Sequence, residues 1–220
     1  MAKTIVLIDY GSGNICSAAK ALEHVVATES LPYEIIISKN PKDISNAAKI
    51  ILPGQGAFQD CMQNLQNIPD MIDTLNNRVL QEGTPFLGIC VGMQLLADRG
   101  FEHGEYKGLG WIKGDVIPII PKDPSLKIPH MGWNQLYLDK DDHFLLRSIK
   151  TSAACKKDFY FVHSFMFQCK EEQERIAYVD YGEPITAIIG RDNITGVQFH
   201  PEKSQSAGLH LIRDFLRWQI

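Results

Sequence analysis

Short apolar runs alternate with amphipathic stretches in the first half of the chain, and this alternation restricts the possible folds more than any other feature. The four runs are rich in β-branched residues and read "KTIVLID", "YEIIIS", "KIILPG" and "TPFLGI". Strands that are apolar on both faces and alternate with helices are typical of a parallel sheet with helices on both sides. We therefore predict an α/β fold, a three-layer sandwich in which a mostly parallel central sheet has helices on both faces.

Helical spacing of apolar residues marks four segments, which are residues 15–26, 58–81, 91–98 and 206–218. A break is expected at Pro69 in the second segment, because proline interrupts a helix. The special sequences "DYGSGN", "LPGQGAF" and "GICVGMQ" all fall where a predicted strand ends. Catalytic and binding groups of parallel sheets gather at these carboxyl ends, so we expect a functional site there.

Beyond about Gly110 the pattern changes to short strands separated by Gly, Asp, Asn and Pro. We expect this half to add strands to the same sheet and to form a small accessory antiparallel sheet. The chain contains no internal repeat, no low-complexity segment and no long linker. Residues 1–220 are therefore predicted to form a single domain.

Composition and charge exclude several classes of protein. The chain is 45% hydrophobic and carries a net charge of −4, with Lys and Arg scattered along it, so no nucleic-acid partner is expected. Only four apolar residues precede Asp9, too few for a secretory signal, and no run is long enough to span a bilayer. We expect a cytoplasmic protein with no membrane association.

The five cysteines are widely spaced and include no C-x-x-C pair, which argues against a disulfide framework and against a zinc site. Four of them are expected to be small buried hydrophobic residues: Cys16, Cys61, Cys155 and Cys169. The pattern requires no metal and no organic cofactor.

Cys90 differs from the other cysteines because it lies between a predicted strand and a predicted helix, flanked by Gly88 and Gly92. The stretch "GICVG" has the small-x-nucleophile-x-small form of a nucleophile elbow, which lifts a side chain above the sheet. A helix that begins at Val91 would direct its dipole and free N–H groups toward the sulfur, favouring the thiolate. The N–H of Val91 would also be placed to bind an oxyanion.

A cysteine nucleophile needs a base, and the base needs an orienting group. His200 ends the apolar run "ITGVQF" and is followed by Pro201 and Glu202. Pro201 stiffens the turn, so Glu202 can lie beside His200 and hold one tautomer of its ring. "HPE" taken by itself would equally fit a salt bridge in a loop, and Cys90 is what favours a catalytic role.

These motifs resemble the class I, triad-type glutamine amidotransferases, and the similarity covers nearly the whole chain. "PFLGICVGMQLL" matches the nucleophile segment of that family, and "GVQFHPEKS" matches its His–Glu segment. The resemblance implies the fold of the family and a glutaminase, in which a cysteine attacks the side-chain amide of L-glutamine and releases ammonia. The matching nucleophile, base and orienting carboxylate are Cys90, His200 and Glu202.

The same resemblance implies which residues surround the substrate. "ILPGQGAF" is similar to the loop in which a backbone N–H, here of Gly54 or its neighbour, completes the oxyanion hole. Gly56 and Gln94 match positions that hold glutamine. "FVHSF" resembles the segment whose backbone binds the amino-acid end of the substrate, here Ser164 and Phe165. Many relatives have Tyr where this chain has Phe165, so only a backbone role is carried over.

"DYGSGN" and "KIPHMGWNQL" are similar to one subfamily, the glutaminase subunits that dock on a (β/α)₈-barrel cyclase in histidine biosynthesis. The resemblance implies a heterodimer in which ammonia passes through the barrel of the cyclase. One glutaminase domain accounts for almost all of the 220 residues, which fits dependence on a partner. The candidate interface residues are Asn14, Trp133, Tyr160 and Lys203, of which Trp133 is the best anchor.

Three alternatives remain open at this point. A paralogous subunit that supplies ammonia to a surface-polysaccharide sugar would carry similar motifs. A cysteine peptidase or hydratase of related fold is a second alternative, and Gln94 and "PGQGAF" argue against it. A non-catalytic binding module is the third, and the presence of Cys90, His200 and Glu202 together argues against that.

Overall fold

The computed structural model describes residues 3–11, 14–140, 142–151 and 157–219. Cys155, together with Ser12 and Gly13 of "DYGSGN", lies outside these ranges. The described strands are β1 (Lys3–Ile8), β2 (Tyr33–Ser38), β3 (Lys49–Gly54), β4 (Phe86–Cys90), β5 (Arg99–Gly100), β6 (Tyr106–Lys107), β7 (Gly114–Pro118), β8 (His130–Gln135), β9 (Tyr137–Leu138), β10 (Asp158–His163), β11 (Phe165–Cys169), β12 (Arg175–Asp180), β13 (Pro184–Arg191) and β14 (Ile194–Val197).

The described α-helices are α1 (Ile15–Thr28), α2 (Pro41–Ser45), α3 (Phe58–Gln66), α4 (Met71–Leu75), α5 (Val91–Gln94), α6 (Arg147–Thr151) and α7 (Gln205–Arg217). A π-helical segment, Asn76–Gln81, continues α4. The predicted break at Pro69 is confirmed, since α3 ends before it and α4 begins after it. The terminal helix, predicted over residues 206–218, is confirmed within one residue at each end.

Eight strands form the central sheet in the order β2-β1-β3-β4-β14-β13-β12-β9. The first five run parallel to one another, and β13, β12 and β9 extend the sheet with antiparallel pairings. β3 and β4 are buried at every residue, as expected in the middle of a sheet covered on both faces. The mostly parallel central sheet, and the addition of late strands to it, are confirmed.

The strand order also explains why helices cover both faces. The chain passes through α1 from β1 to β2, and then through α2 to β3 on the opposite side of β1. Because such crossovers are right-handed, α1 and α2 must lie on opposite faces of the sheet. α7 packs on α1, while α2 and α3 pack on α4, which gives the two helical layers of the predicted sandwich.

Two small sheets, rather than one, accompany the central sheet. β8 and β10 form an antiparallel pair, and β11, β7, β5 and β6 form a four-stranded sheet in that order. The second of these sheets is mixed, because β5 runs parallel to β7 while its other pairs are antiparallel. β5 and β6 have two residues each, too few for a period of two to show in the sequence.

The helix predicted over residues 91–98 is wrong in length, because α5 ends at Gln94. Backbone N–H groups of residues 109–112 donate to the carbonyl oxygens of residues 95–97 over 2.8–3.1 Å. Residues 109–112 therefore bind the carbonyl oxygens that directly follow α5, and the chain turns into β5 instead of continuing the helix.

The core is one cluster of buried apolar side chains that lies between the central sheet and both helical layers. Its largest buried side chains include Trp111, Phe58, Phe86 and Phe215. Across the described residues, no helix has the length and apolar character needed to cross a membrane.

Candidate active site

Cys90 is the last residue of β4 and immediately precedes α5. Its backbone has φ 56° and ψ −116°, a conformation that side chains other than glycine rarely adopt. A Cβ on Gly92 would lie 1.8 Å from the carbonyl oxygen of Leu52, and one on Gly88 would lie 2.5 Å from that of Gly92. Gly92 lets α5 press against β3, and Gly88 lets it press against β4, so the elbow predicted from "GICVG" is confirmed as a strained, closely packed turn.

The helix at this elbow is shorter than the sequence pattern indicated. α5 contains four residues, and a helix dipole grows with the number of aligned peptide units, so its effect on the sulfur is small. The N–H of Val91 still follows Cys90 directly at the first position of the helix. The charged group that acts on the thiol is therefore His200 rather than the helix.

His200 reaches Cys90 because β4 and β14 are parallel neighbours whose carboxyl ends meet at the same edge of the sheet. The side chain of His200 is close enough to that of Cys90 for the sulfur to raise the pKa of the imidazole. Its Nδ1 donates to Oε1 of Glu202 over 2.9 Å. Two backbone contacts hold the histidine in place: its N–H donates to the carbonyl of Tyr160 over 3.0 Å, and its carbonyl accepts from Oγ of Ser204 over 2.6 Å.

Opposing effects determine the charge of His200. Burial lowers the pKa of the imidazole, but the hydrogen bonds to Cys90 and Glu202 and the negative charge of both partners raise it, to about 9. The side chain of Glu202 is 4% exposed, and its Oε2 lacks a hydrogen-bond partner among the described residues. A carboxylate held in this way favours an imidazolium beside it. The arrangement thus favours a proton on His200 next to the sulfur of Cys90.

A cavity of about 300 Å³ opens over this pair, a volume in the range of small-molecule sites. Six predicted catalytic or substrate-binding residues line it: Cys90, His200, Gly56, Gln94, Ser164 and Phe165. Val91 and Lys203 line it as well. Glu202 lies behind His200 instead, where a carboxylate that orients the base belongs.

A family model described as glutamine amidotransferase class-I matches residues 6–218. The chain belongs to this family. Two solved structures share the fold of this amidotransferase at 16% sequence identity. One, described as a glutamine amidotransferase, has a TM-score of 0.67 and covers 96% of each chain. The other, a glutamine amidotransferase from Thermotoga maritima, has a TM-score of 0.61 and covers 92% of this chain and 77% of its own.

Curated relatives are much closer in sequence to this amidotransferase. A protein of Rhodospirillum rubrum is 51% identical over 214 residues, which cover 97% of this chain and 98% of that protein. One of Zymomonas mobilis is 51% identical over 215 residues, covering 98% of this chain and 96% of that protein. Both bear the name imidazole glycerol phosphate synthase subunit HisH.

The amide of Gln94 is held at the wall of the cavity. Its Nε2 donates to the carbonyl oxygen of Phe165 over 3.3 Å and to Oε1 of Gln198 over 3.0 Å. Phe165 thus contributes its backbone to holding Gln94, and the predicted role of that backbone toward the substrate stays a prediction. The carbonyl oxygen of Ser164 is occupied by the N–H of Ile119 over 2.9 Å.

Gly54 pairs with Cys90 at the end of β3 but does not line the cavity, whereas its neighbours Gln55 and Gly56 do. Gly56 has φ 105°, and the carbonyl oxygen of Gln55 accepts from Sγ of Cys61 over 3.4 Å. Of the two oxyanion donors predicted from the sequence, the one in this loop is thus better placed one or two residues beyond Gly54.

The predicted interface residues lie at the same edge of the sheet as the cavity. Trp133 is half exposed on β8, and its ring meets that of Tyr160 on β10 edge-on with 6.1 Å between centroids. Lys203 is exposed beside the cavity, and Asn14 is exposed at the start of α1, beyond the carboxyl end of β1. Tyr160 also connects Trp133 to the backbone of His200.

Sequence reasoning did not find a pair of histidines, His163 and His130, that lies beside the cavity. His163 lines the cavity and donates from Nδ1 to the carbonyl oxygen of Phe165 over 2.8 Å. Its Nε2 then accepts from Nδ1 of His130 over 2.9 Å, and Nε2 of His130 faces Nδ2 of Asn134 at 3.3 Å. Burial lowers the pKa of His163 to about 3 and that of His130 to about 4, so both rings are neutral.

Two more residues of the site were missed. Gln198 is fully buried and brings Nε2 within 3.8 Å of Sγ of Cys90. Glu102 lines the cavity, and its Oε2 accepts from the N–H of Phe58 at the start of α3 over 2.7 Å. "GVQFHPE" contains the only sequence signal for Gln198, a polar residue inside an apolar run, and Glu102 had none.

Proposed function

We propose that this amidotransferase is the glutaminase subunit of an imidazole glycerol phosphate synthase. The observation that carries the proposal is the near full-length identity, about half of all positions, to curated relatives of that name. The geometry supports the same chemistry, because a buried Cys–His–Glu arrangement faces a cavity of suitable size. In this proposal residues 1–220 act as one glutaminase domain.

The reaction begins with attack of the Cys90 thiolate on Cδ of the glutamine side chain. The carbonyl oxygen becomes negatively charged and is bound by the N–H of Val91 and by an N–H of the loop after β3, in or next to Gly54. His200 carries the proton on the side that faces the sulfur and transfers it to the leaving nitrogen, so that neutral ammonia departs. A glutamyl thioester on Cys90 remains.

Hydrolysis of the thioester uses the same groups in reverse. His200, now neutral, takes a proton from water, and the resulting hydroxide attacks the thioester carbonyl. Glu202 stabilises the imidazolium that forms and keeps Nδ1 protonated. Glutamate leaves, the sulfur is again a thiolate, and His200 again carries a proton.

Charged groups at the mouth of the cavity suit the amino-acid end of glutamine. Glu102 lines the cavity and its carboxylate can bind an α-ammonium, while residues 163–165 and the ammonium of Lys203, which also line it, can bind an α-carboxylate. Gln94 completes the site from the side of α5. A zwitterion is therefore matched at both ends, and this favours free glutamine over a peptide.

The partner is proposed to be a (β/α)₈-barrel cyclase that docks on the face formed by β8 and its surroundings. Large apolar side chains are exposed there, with Met131 60% and Trp133 50% accessible. Such a cluster is typical of an interaction site. Ammonia would pass from the cavity, beneath Tyr160 and Trp133, into the barrel, and Asn14 and Lys203 would contact the rim of the partner.

We also propose that the oxyanion hole is completed only in the complex, so that hydrolysis depends on the acceptor. Gly54 and Gly56 permit a peptide of the "PGQG" loop to rotate, and the carbonyl of Gln55 is held by the weak Sγ donor of Cys61. The free subunit is then a poor glutaminase. Equal glutaminase rates with and without the cyclase would refute this arrangement.

The decisive experiment mixes the purified chain with a histidine-pathway cyclase and measures glutamate release with and without the nucleotide substrate of the cyclase. We expect the rate to rise with the cyclase and further with the nucleotide, and Cys90→Ala to abolish it. Trp133→Ala should weaken complex formation while leaving the alkylation of Cys90 unchanged. If a sugar-amidating partner activates the chain and the cyclase does not, the chain belongs to the amidation of a surface-polysaccharide sugar instead.

A further inference from the structure

The amide orientations beside Cys90 follow from one backbone carbonyl. The oxygen of Phe165 can only accept, so the atom of Gln94 that faces it must be the nitrogen. That nitrogen also faces Gln198 at 3.0 Å, so the atom presented by Gln198 must be its oxygen. The nitrogen of Gln198 is thereby turned toward Sγ of Cys90, 3.8 Å away.

We propose that Gln198 is a further residue of the catalytic site, with two separate roles. Its Nε2 donates a hydrogen bond to the sulfur of Cys90 and stabilises the thiolate before attack. Its Oε1 holds the amide of Gln94 in the orientation that receives glutamine. Both roles belong to the proposed glutaminase reaction and add a donor and a positioning contact to it.

The burial of Gln198 argues that these contacts are more than packing. The side chain is fully buried directly after β14, in the middle of the central sheet. A buried amide costs free energy unless its groups are paired, and an apolar side chain of similar shape would fill the space without that cost. The amide instead pairs with Gln94 at one end and with the nucleophile at the other.

Two variants separate the roles. Gln198→Met keeps the approximate shape and removes both contacts, whereas Gln198→Glu keeps an oxygen for Gln94 but replaces the donor with a negative charge. Thr195→Val is the matched control: Thr195 is a fully buried polar residue of the same strand, and its hydroxyl donates to the carbonyl of Ile189, not to the site.

Two measurements are made, the pH profile of Cys90 alkylation by iodoacetamide and the kinetics of glutamine hydrolysis in the complex with the cyclase. We expect Gln198→Glu to move the midpoint of alkylation up by about one pH unit, because a carboxylate opposes the thiolate. Gln198→Met should raise KM for glutamine and lower kcat/KM by about 10- to 100-fold. Gln198→Glu should change kcat more than KM.

Thr195→Val should match the wild type in both assays. Alkylation midpoints and kinetic constants of both Gln198 variants equal to those of Thr195→Val, with thermal unfolding like that of the wild type, would overturn the proposal. A wild-type complex that fails to hydrolyse glutamine would instead contradict the proposed function, and the alkylation profiles would still decide whether Gln198 donates to the sulfur.

Discussion

Two buried pairs of side chains, His200 with Glu202 and His163 with His130, lie beside the same cavity, and the pKa values of their histidines are shifted in opposite directions. His200 lies against Cys90 and Glu202, and its pKa is raised to about 9. His163 lies against His130, and burial lowers their pKa values to about 3 and about 4. Both pairs are desolvated to a similar degree, so burial alone does not decide the charge.

The difference is the chemistry of the neighbour. Glu202 offers a carboxylate that is acceptor-only and negative, so a second proton on His200 is favourable. His163 faces a backbone carbonyl and another imidazole, and the neighbouring imidazoles of His130 and His200 oppose a positive charge there. These surroundings favour a protonated imidazole at His200 and neutral imidazoles at His163 and His130.

The largest effect should come from removing the carboxylate beside His200, so that its surroundings resemble those of His163. Glu202→Gln leaves an acceptor for Nδ1 but removes the charge, so the pKa of His200 should fall and the imidazolium should no longer be stabilised. We expect kcat/KM for glutamine hydrolysis to fall by about 10²- to 10⁴-fold. Glu172→Gln, which neutralises an exposed carboxylate of the same chain, is the control. A loss smaller than threefold would show that the carboxylate is dispensable.

His163 and His130 should make the folded protein less stable in acid. Because the pKa values of His163 and His130 are lowered, the stability they contribute is complete above pH 6.5 and is lost as pH falls toward about 4 and about 3. Each histidine adds at most about 1.4 kcal/mol per pH unit to this loss. Urea denaturation between pH 7 and pH 4.5 measures the slope.

His130→Asn keeps a donor near Nδ1 but removes one titrating ring, so the acid slope should become shallower even if the variant is less stable at pH 7. The exposed His24→Asn is the matched control and should leave the slope as it is. An unchanged slope in His130→Asn would place the acid-sensitive groups elsewhere. His200 acts in the opposite direction: its raised pKa contributes stability below pH 6.5 that is lost as pH rises through about 9.

A smaller effect should follow from placing a carboxylate beside His130, so that its surroundings resemble those of His200. Asn134→Asp places a carboxylate next to Nε2 of His130, where the amide now lies at 3.3 Å. We expect the pKa of His130 to rise by about one unit, measured by NMR titration of its ring. Gln135→Glu makes the same charge change one residue along β8, on the opposite face, and should have little influence. Equal shifts in both variants would mean that the effect is long-range.

The smallest effect concerns the backbone. His163 and His130 lie in regular strands, whereas Cys90 has φ 56°. Cys90→Gly should therefore be more stable than Cys90→Ala by about 1 kcal/mol, since only glycine adopts this conformation without strain. Chemical denaturation of the two inactive variants provides the comparison. If Cys90→Ala is as stable as Cys90→Gly, the elbow does not store strain.

Sequence reasoning succeeded where local patterns and simple topology rules are sufficient. The runs that became β1 to β4 are apolar on both faces, and residues that end parallel strands must share one edge. This is why Cys90 and His200 could be placed together although 109 residues separate them in the chain. The turn at Pro201 then restricted where Glu202 could lie.

Sequence reasoning failed where a contact depends on residues far away in the chain. α5 ends where a loop binds the carbonyl oxygens of the residues directly after it, and no residue of the helix signals this. Gln198, His130 and His163 are polar side chains inside apolar runs. Their contacts appear only when the fold places Phe165 and Gln94 next to them. The single-domain prediction and the roles given to the cavity residues remain predictions.

The hydrogen bonds from Asn134 through His130 and His163 to Phe165 have a practical consequence for spectroscopy. Each ring nitrogen in this series has one role, so two imidazole N–H protons are fixed and shielded from water. Such protons exchange slowly and resonate downfield of the amide region, where few other signals occur. The N–H signals of His130 and His163 can therefore be followed by NMR without isotope labelling. They report on the residues beside the exposed Trp133 and on the wall of the cavity.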